Sequence, residues 1–257
     1  MQTYKILFTT CLAIAYLSLF AQNKGELNKE RNSSISVAFF SYLTQEQDIN
    51  RFYEKRPDAD FTSKHSISYQ GKFEYSRLIG NGFEASLGII AGVYPIEFRT
   101  SFESDFSQTG REFNSFFITR NNAIYAGFTI NVGYIQNLGS SQFLSIRAGA
   151  NYVLFIPQYY NYTARIHTGT QILTVFEAHA NINPSGKAFL APEIALRYHR
   201  KIGQRFIPYV GFNGVYSANK PIVGNQFTIY GINENLQGTF TKQFVHFGVE
   251  LGLKMTL

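Results

Sequence analysis

The sequence predicts an all-β fold: a transmembrane, antiparallel, up-and-down β-barrel of about eight strands. Three observations predict it. Eight segments alternate apolar with polar residues, the connections between them are alternately long and short, and the chain carries few charges. Only 16% of its 257 residues are charged and 16% are aromatic, whereas an average soluble domain has about 25% charged residues.

The N-terminus, residues 1–21, is interpreted as a cleavable signal peptide. Lys5 supplies the positive charge and a mostly apolar run follows it. The single cysteine, Cys11, lies in this segment, so the mature chain is expected to have no disulfide and no cysteine nucleophile or metal ligand. After cleavage, residues 22–33 are expected to form a short periplasmic tail and residues 34–257 the barrel.

Each of the eight segments has one face without any charge. Residues of one parity are apolar, and residues of the other parity hold the charges of these segments together with Gly, Ser and Asn. A Lys or Arg that faces lipid at mid-bilayer costs roughly 2–4 kcal/mol, so this division places the apolar face toward lipid and the other toward the lumen. The segments are residues 35–39, 67–75, 83–93, 124–134, 144–154, 192–198, 206–216 and 245–257.

The connections follow a strict order. Long ones come after the first, third, fifth and seventh segments, and short turns come after the second, fourth and sixth. An even-stranded barrel with both termini in the periplasm has this arrangement. Within the third long connection, residues 160–178 could form an extra hairpin, which we interpret as an extracellular extension of the fifth and sixth strands. A barrel of ten membrane strands is the alternative.

The charged residues of the lumen-facing register are the first candidate site. Four carboxylates and four cations share this face, and buried charges are tolerated when they are paired. Two roles are open for such a network: structural support of the interior, or gating of a proton or ion path. Its members are Lys72, Glu74, Glu84, Arg147, Glu193, Arg197, Glu250 and Lys254.

The sequence gives no reason to expect a catalytic, cofactor-binding or metal site. Of the five histidines, only His246 falls inside a predicted strand, facing the lumen near Glu250. His179 and Glu177 fall in a predicted long loop without metal-ligand spacing, and His199 falls in a predicted periplasmic turn. A lipid-modifying enzyme would need His, Ser and a carboxylate on the lipid-facing side. The chain is therefore expected to be no enzyme and to use no cofactor.

Composition and strand number favour a binding role. Eight strands leave an interior that side chains fill, so the first hypothesis is a binding or assembly component that acts through its long loops or its periplasmic rim. A narrow solute pore is the alternative. The formal net charge of +6 suggests contact with anionic lipopolysaccharide and, in an exported barrel, no contact with nucleic acid. Expected partners are outer-membrane lipid and lipopolysaccharide, the barrel-assembly machinery and a protein partner.

The last eight residues resemble the C-terminal signal by which outer-membrane barrels are recognised for assembly. Glu250 is followed two positions later by Gly252, and the apolar residues Met255 and Leu257 follow Gly252 by three and five positions. Leu257 stands where Phe is more common. Together with Ala21 at the cleavage point, this pattern is similar to the outer-membrane barrels of Bacteroidota, which include a PorT-like component of a protein secretion system. The resemblance implies an outer-membrane location and a role related to secretion.

Deletion of residues 255–257 is expected to prevent assembly, because it removes the two apolar positions of this signal. The measurement is the amount of tagged protein in isolated outer membranes, with the full-length chain as control. Normal outer-membrane levels of the truncated chain would contradict the assignment of an assembly signal to Glu250, Gly252, Met255 and Leu257.

Overall fold

A computed structural model describes residues 33–54, 59–102, 115–168, 171–231 and 234–257. The predicted signal peptide and residues 22–32 of the predicted tail lie outside these ranges. The described part of the chain contains no helix long and apolar enough to cross a membrane. Its strands are β1 (Ser33–Thr44), β2 (Asp48–Arg51), β3 (Ala59–Ser63), β4 (Ile67–Gly80), β5 (Phe83–Phe102), β6 (Ser115–Asn137), β7 (Gln142–Phe155), β8 (Gln158–Thr168), β9 (Gln171–Ile182), β10 (Phe189–Arg200), β11 (Phe206–Tyr230) and β12 (Asn235–Thr256).

Eight strands form a closed antiparallel ring. Their order is β1, β4, β5, β6, β7, β10, β11 and β12, and β12 returns to pair with β1 from Ser34↔Thr256 to Thr44↔His246. Closure leaves no strand edge in this ring, so the backbone groups of the membrane-spanning wall are paired within the sheet. The eight-strand prediction is confirmed and the ten-strand alternative is wrong, because β8 and β9 pair outside the ring.

Half of the barrel wall has an apolar outer surface. Outward side chains such as Val37, Phe128 and Phe212 are 61%, 63% and 67% exposed, while the inward residues between them are mostly polar and buried. Lipid solvates an apolar side chain better than water does, so this outer surface fits the hydrocarbon layer. We call this half the lower barrel. It includes the short turns, the start of β1 and the end of β12.

The polarity of the wall inverts part-way along the long strands. In β5, Leu87 and Ile89 point outward and are exposed, whereas beyond Tyr94 the buried inward residues are apolar, such as Ile96 and Phe98. The same change occurs in β12. Its outward residues pass from Thr241 and Gln243 to apolar ones from Val245 onward, and inward Phe240 and Phe244 lie above inward Glu250. The two-residue period of the strand does not change, so the inversion marks the passage from lipid to water.

Above this level the wall continues as an upper barrel. It consists of β2, β3, β8 and β9 together with parts of four ring strands. These parts are the residues of β5 after Tyr94, of β6 before Ala123, of β11 after Ser217 and of β12 before Val245. Here the strands form two sheets, β3-β5-β6 and β2-β12-β11-β9-β8. The connections after the third and seventh predicted strands are therefore strand over most of their length, and their assignment to loops is wrong. An apolar-inward pattern with charges outside does not match the lipid-facing pattern on which the prediction was based.

The extra hairpin exists as β8 and β9, and it is a separate pair of strands rather than a direct extension of the fifth and sixth predicted strands. β9 pairs with β11, from Ile222↔Ile182 to Ile229↔Phe176, and not with the fifth and sixth ring strands, β7 and β10. Pro157 follows β7 and has no backbone N–H to continue the ladder with β6. The chain turns away there, and because β10 begins only at Phe189, β9 occupies the place beside the upper part of β11.

Aromatic side chains fill the upper barrel. Phe61 is the centre: its ring lies 4.1 Å from Phe227, 5.0 Å from Phe98, 5.5 Å from Phe240 and 5.8 Å from Phe176, between ring centroids. All five side chains are almost completely buried. A second group lies below them, toward the lower barrel, and consists of Tyr94, Tyr125, Phe155, Phe189 and Phe244.

Val249→Arg is expected to impair insertion, whereas Gln243→Arg should insert normally. Both residues point outward from β12, but Val249 lies below the polarity inversion and Gln243 above it. An outward Arg in the lipid belt costs roughly 2–4 kcal/mol near mid-bilayer and little in water. Folding into lipid vesicles, measured by the heat-dependent gel shift, tests this. Equal yields of the two variants would mean that the boundary is misplaced.

Candidate functional site

Three cations and three carboxylates form a connected cluster inside the lower barrel. Lys72 and Glu74 come from β4, Arg147 from β7, Glu193 and Arg197 from β10, and Glu250 from β12, all in the inward register. Each of the six residues is at most 5% exposed. Formal charges balance at three positive and three negative, which a buried cluster requires because an unpaired ion in a low-dielectric interior is strongly unfavourable.

Glu74 is the hub of the cluster. Its carboxylate lies 2.9 Å from Nη1 of Arg147, 3.3 Å from Nη1 of Arg197 and 3.7 Å from Nζ of Lys72. The amide of Asn131 also donates to it, at 3.2 Å. The hydroxyl of Ser86 donates to it over 3.5 Å. The carboxylate therefore interacts with three cations and two neutral donors from five different strands.

The other two carboxylates extend the cluster across the lumen. Glu193 accepts from Nζ of Lys72 at 2.6 Å and from Nδ2 of Asn213 at 2.5 Å. Glu250 pairs with Nη2 of Arg197, whose N–O distance is 2.5 Å. Because Lys72 and Arg197 each contact two carboxylates, the six charges form a single network rather than separate pairs.

Glycines beside the charged side chains make room for them. A Cβ atom at Gly88 would lie 2.8 Å from Cγ of Glu74, and one at Gly133 would lie 2.7 Å from Cγ of Arg147. Real Cβ contacts are not this short, so the wall must carry Gly where the two stems lie against it. The small residues of the inward register are thus part of how the interior is filled.

The other two predicted lumen charges, Glu84 and Lys254, lie apart from the cluster near the short-turn end. Their side chains form an ion pair with each other, beside a cavity of about 80 Å³ that His199 also lines. All eight predicted lumen charges therefore face the interior, six as one cluster and two as a separate pair.

Two of the histidines lie where the sequence interpretation did not place them. His199 belongs to β10 and points inward, where its Nε2 lies 2.8 Å from Oγ of Ser145; it shares the parity of Glu193 and Arg197, which was the available signal. His179 lies in β9 rather than in a loop, with Nε2 3.5 Å from Glu177.

His246 does not form a catalytic arrangement with Glu250. Its ring packs 4.0 Å from Tyr42 and 4.7 Å from Phe244, between ring centroids, while Glu250 is engaged by Arg197. In the part of the chain that the structure describes, no group of three or more His, Cys, Asp or Glu side chains could hold a metal ion.

Sequence reasoning missed Lys242. Its side chain is completely buried in the upper barrel, where Nζ donates to the carbonyl of Pro95 at 2.8 Å and to Oγ1 of Thr44 at 3.1 Å, and lies 4.9 Å from the centre of the Tyr94 ring. Burial lowers the pKa of Lys242 to about 8, and the charge of Glu97 opposes this shift. The penalty for burying the ammonium is therefore full below about pH 8 and diminishes as the pH rises toward the ordinary lysine pKa.

The residues of the predicted assembly signal occupy the closing strand. Met255 pairs with Ile35 of β1 and with Phe206 of β11, and the N–H of Leu257 donates to the carbonyl of Ser33 at 3.0 Å. They complete the ring at its lower end. Their recognition by an assembly machinery stays a prediction.

Comparison with known proteins gives outer-membrane barrels at low similarity. No protein-family model and no curated protein sequence matches this chain. Among solved structures, it is similar to the outer membrane protein OprG from Pseudomonas aeruginosa, with a TM-score of 0.45 and 10% identity over 88% of this chain and 96% of that one. It is also similar to the outer membrane protease OmpT from Escherichia coli (TM-score 0.39, 10% identity, 92% and 100% covered) and to Ail, the attachment invasion locus protein of Yersinia pestis (0.30, 12%, 86% and 99%). At this similarity their roles do not transfer.

Glu74→Gln is expected to lower the free energy of unfolding by about 3–5 kcal/mol, because it leaves Arg147 and Arg197 buried without their shared carboxylate. The matched control is Glu177→Gln on the upper barrel, where a partly exposed pair with His179 contributes at most about 1 kcal/mol. Denaturant unfolding of the folded protein in detergent micelles measures both. Equal midpoints for the two variants would show that the network contributes little to stability.

Proposed function

We propose that this chain is an integral outer-membrane β-barrel that is closed to solutes, has no enzymatic activity and acts as a binding or assembly component through its upper barrel. The single observation that carries the proposal is the double filling of the interior. Ion-paired side chains occupy the lower barrel and an aromatic core occupies the upper barrel. The outer surface is then the part of the molecule left to interact.

The filled interior weighs against the pore hypothesis. A conducting path would need continuous water-accessible space, whereas the six charges of the cluster are at most 5% exposed and the Phe61 group packs ring against ring above them. The ion network therefore serves as structural support, and its gating role is the weaker of the two hypotheses. An enzymatic role has no support from the luminal groups, since the carboxylates are engaged by cations and His246 by aromatic rings.

The proposed partners follow from the two surfaces. The apolar surface of the lower barrel fits outer-membrane lipid, and cationic side chains such as Arg99 and Arg120 on the outer face just above it are placed to contact lipopolysaccharide. The upper barrel, which projects beyond the membrane, would bind a protein partner. Membership of the Bacteroidota barrels, with a PorT-like role in secretion, stays a prediction from the residues at the two ends of the chain.

The purified, folded chain is expected to give no steady conductance in planar bilayers, because both halves of the interior are filled. The same tagged chain, recovered from gently solubilised outer membranes, is expected to carry a companion protein in stoichiometric amount. Samples run on a gel with and without heating show that the barrel is folded in both measurements.

Discrete, reproducible conductance steps from the folded barrel would overturn the proposal in favour of a narrow pore. A barrel that does not conduct and is recovered alone would remove the assembly role and leave lipid and lipopolysaccharide as the partners. A heat-unfolded sample of the same chain is the control for conductance caused by the detergent.

A further inference from the structure

The wall of the upper barrel has two places where neighbouring strands are not joined by a ladder. In the described part of the chain, the sheet β3-β5-β6 and the sheet β2-β12-β11-β9-β8 share no strand pairing. They meet once between β2 and β3 and once between β6 and β8. An unpaired strand edge presents a row of backbone N–H and C=O groups that another extended chain can use.

The β2–β3 edge is bridged by side chains. Arg51 of β2 donates through Nη2 to the backbone carbonyl of Phe61 at 2.7 Å and through Nε to the carboxylate of Asp60 at 2.9 Å. Nearby, the N–H of Gln47 donates to Oγ of Ser63 at 2.7 Å. The guanidinium of Arg51 thus donates to β3 in place of a backbone N–H of a neighbouring strand, so this edge is already occupied by a side chain.

The β6–β8 edge arises where the chain leaves the β6–β7 ladder. β7 pairs with β6 up to Phe155↔Tyr125, Pro157 follows, and β8 then pairs with β9 on its far side. The facing edges belong to residues 118–122 of β6 and 158–165 of β8. In a strand of an antiparallel sheet, alternate residues point their N–H and C=O groups to opposite edges, so both strands direct such groups into this gap.

Aromatic side chains lie near this edge on β8. The hydroxyl of Tyr160 donates to Oε1 of Gln158 in its own strand at 2.7 Å. It lies 3.4 Å from the backbone carbonyl of Asn122 on β6, which is long for a hydrogen bond. Below it, the ring of Tyr162 packs edge-on against Phe98 of β5, the strand beyond β6, with 4.9 Å between centroids. Neither contact forms a ladder or a charged bridge between β6 and β8, unlike the Arg51 contacts between β2 and β3.

The side chains around the edge define what fits. Arg120 of β6 and Arg165 of β8 are exposed on the outer face, whereas Tyr162 and Ala164 are buried on the inner face. A strand added here would turn alternate side chains toward each face. Acidic side chains would meet the two arginines, and small apolar ones would meet the aromatic core.

We propose that the β6–β8 edge of the upper barrel binds an extended polypeptide of a partner protein by strand addition, with alternating apolar and acidic residues. This inference rests on the proposed function of the upper barrel as the binding surface. Backbone hydrogen bonds provide the affinity in this mode, and the alternate side chains provide the selectivity.

The probe is a fluorescein-labelled, end-capped hexapeptide of alternating valine and glutamate, added to the folded full-length chain in detergent micelles. Binding is read by fluorescence anisotropy. The matched control peptide has the same side chains but carries N-methyl groups on alternate backbone nitrogens, which removes the donors of one edge. The control is expected to bind at least about tenfold more weakly, a difference of about 1.4 kcal/mol.

Charge reversal of the edge provides the second measurement. Arg165→Glu is expected to weaken binding of the hexapeptide about tenfold, whereas Lys220→Glu on β11, which lies 3.8 Å from Asp48 at a different part of the upper barrel, should leave it unchanged. Both residues are exposed, so both variants should fold, and the heat-dependent gel shift verifies this.

Either of two peptide results would overturn the inference: no binding up to about 1 mM peptide, or equal binding of the N-methylated peptide. It would also be overturned if the edge were occupied by a second copy of this chain, which the added peptide would then displace. A stoichiometric companion recovered from membranes together with no peptide binding would retain the proposed function and reject only this edge as its site.

Discussion

The barrel wall passes from lipid into water while the strands keep a constant two-residue period, and the rest of the structure depends on this constraint. A side chain's parity decides whether it faces the interior, and the surrounding solvent decides which polarity the outer face must have. Below Tyr94 on β5 the outer face is apolar and the interior is left with the polar residues. Above it the outer face is polar and the interior receives Ile96 and Phe98. Two different kinds of interior are the consequence.

Each interior is stable for its own reason. In the lower barrel, charges that cannot face lipid are tolerated because they pair across the lumen, with Glu74 shared by Arg147 and Arg197. In the upper barrel, aromatic rings around Phe61 exclude water by packing. Lys242 is the exception there, a buried cation whose ammonium group is held by a carbonyl, a hydroxyl and the face of Tyr94. Together these side chains occupy both halves of the interior. The outer surface and the strand edges are therefore the parts of the barrel left to contact a partner.

The upper barrel also shows how a ring that closes completely in the membrane can open beyond it. Lipid offers no hydrogen bonds, so the lower ring must pair all its strands. Water does offer them, so an unpaired edge is tolerated above the membrane. One such edge is covered by Arg51 and the other is left between β6 and β8. The difference between these two edges is what favours the second as a place for a partner strand.

The sequence alone determined the eight-stranded ring and the inward direction of its eight charges, because the cost of a charge in lipid keeps charged residues out of the outward positions of every predicted strand. The parity of His199 could have been found in the same way. The upper barrel could not, since outside the membrane the pattern inverts and Pro95 and Pro157 resemble loop residues. Only the tertiary structure decided that β9 pairs with β11 and that Lys72 of β4 meets Glu193 of β10. Because β4 and β10 are not neighbours in the ring, the ion pair between Lys72 and Glu193 exists only because the sheet closes and brings opposite walls together across the lumen.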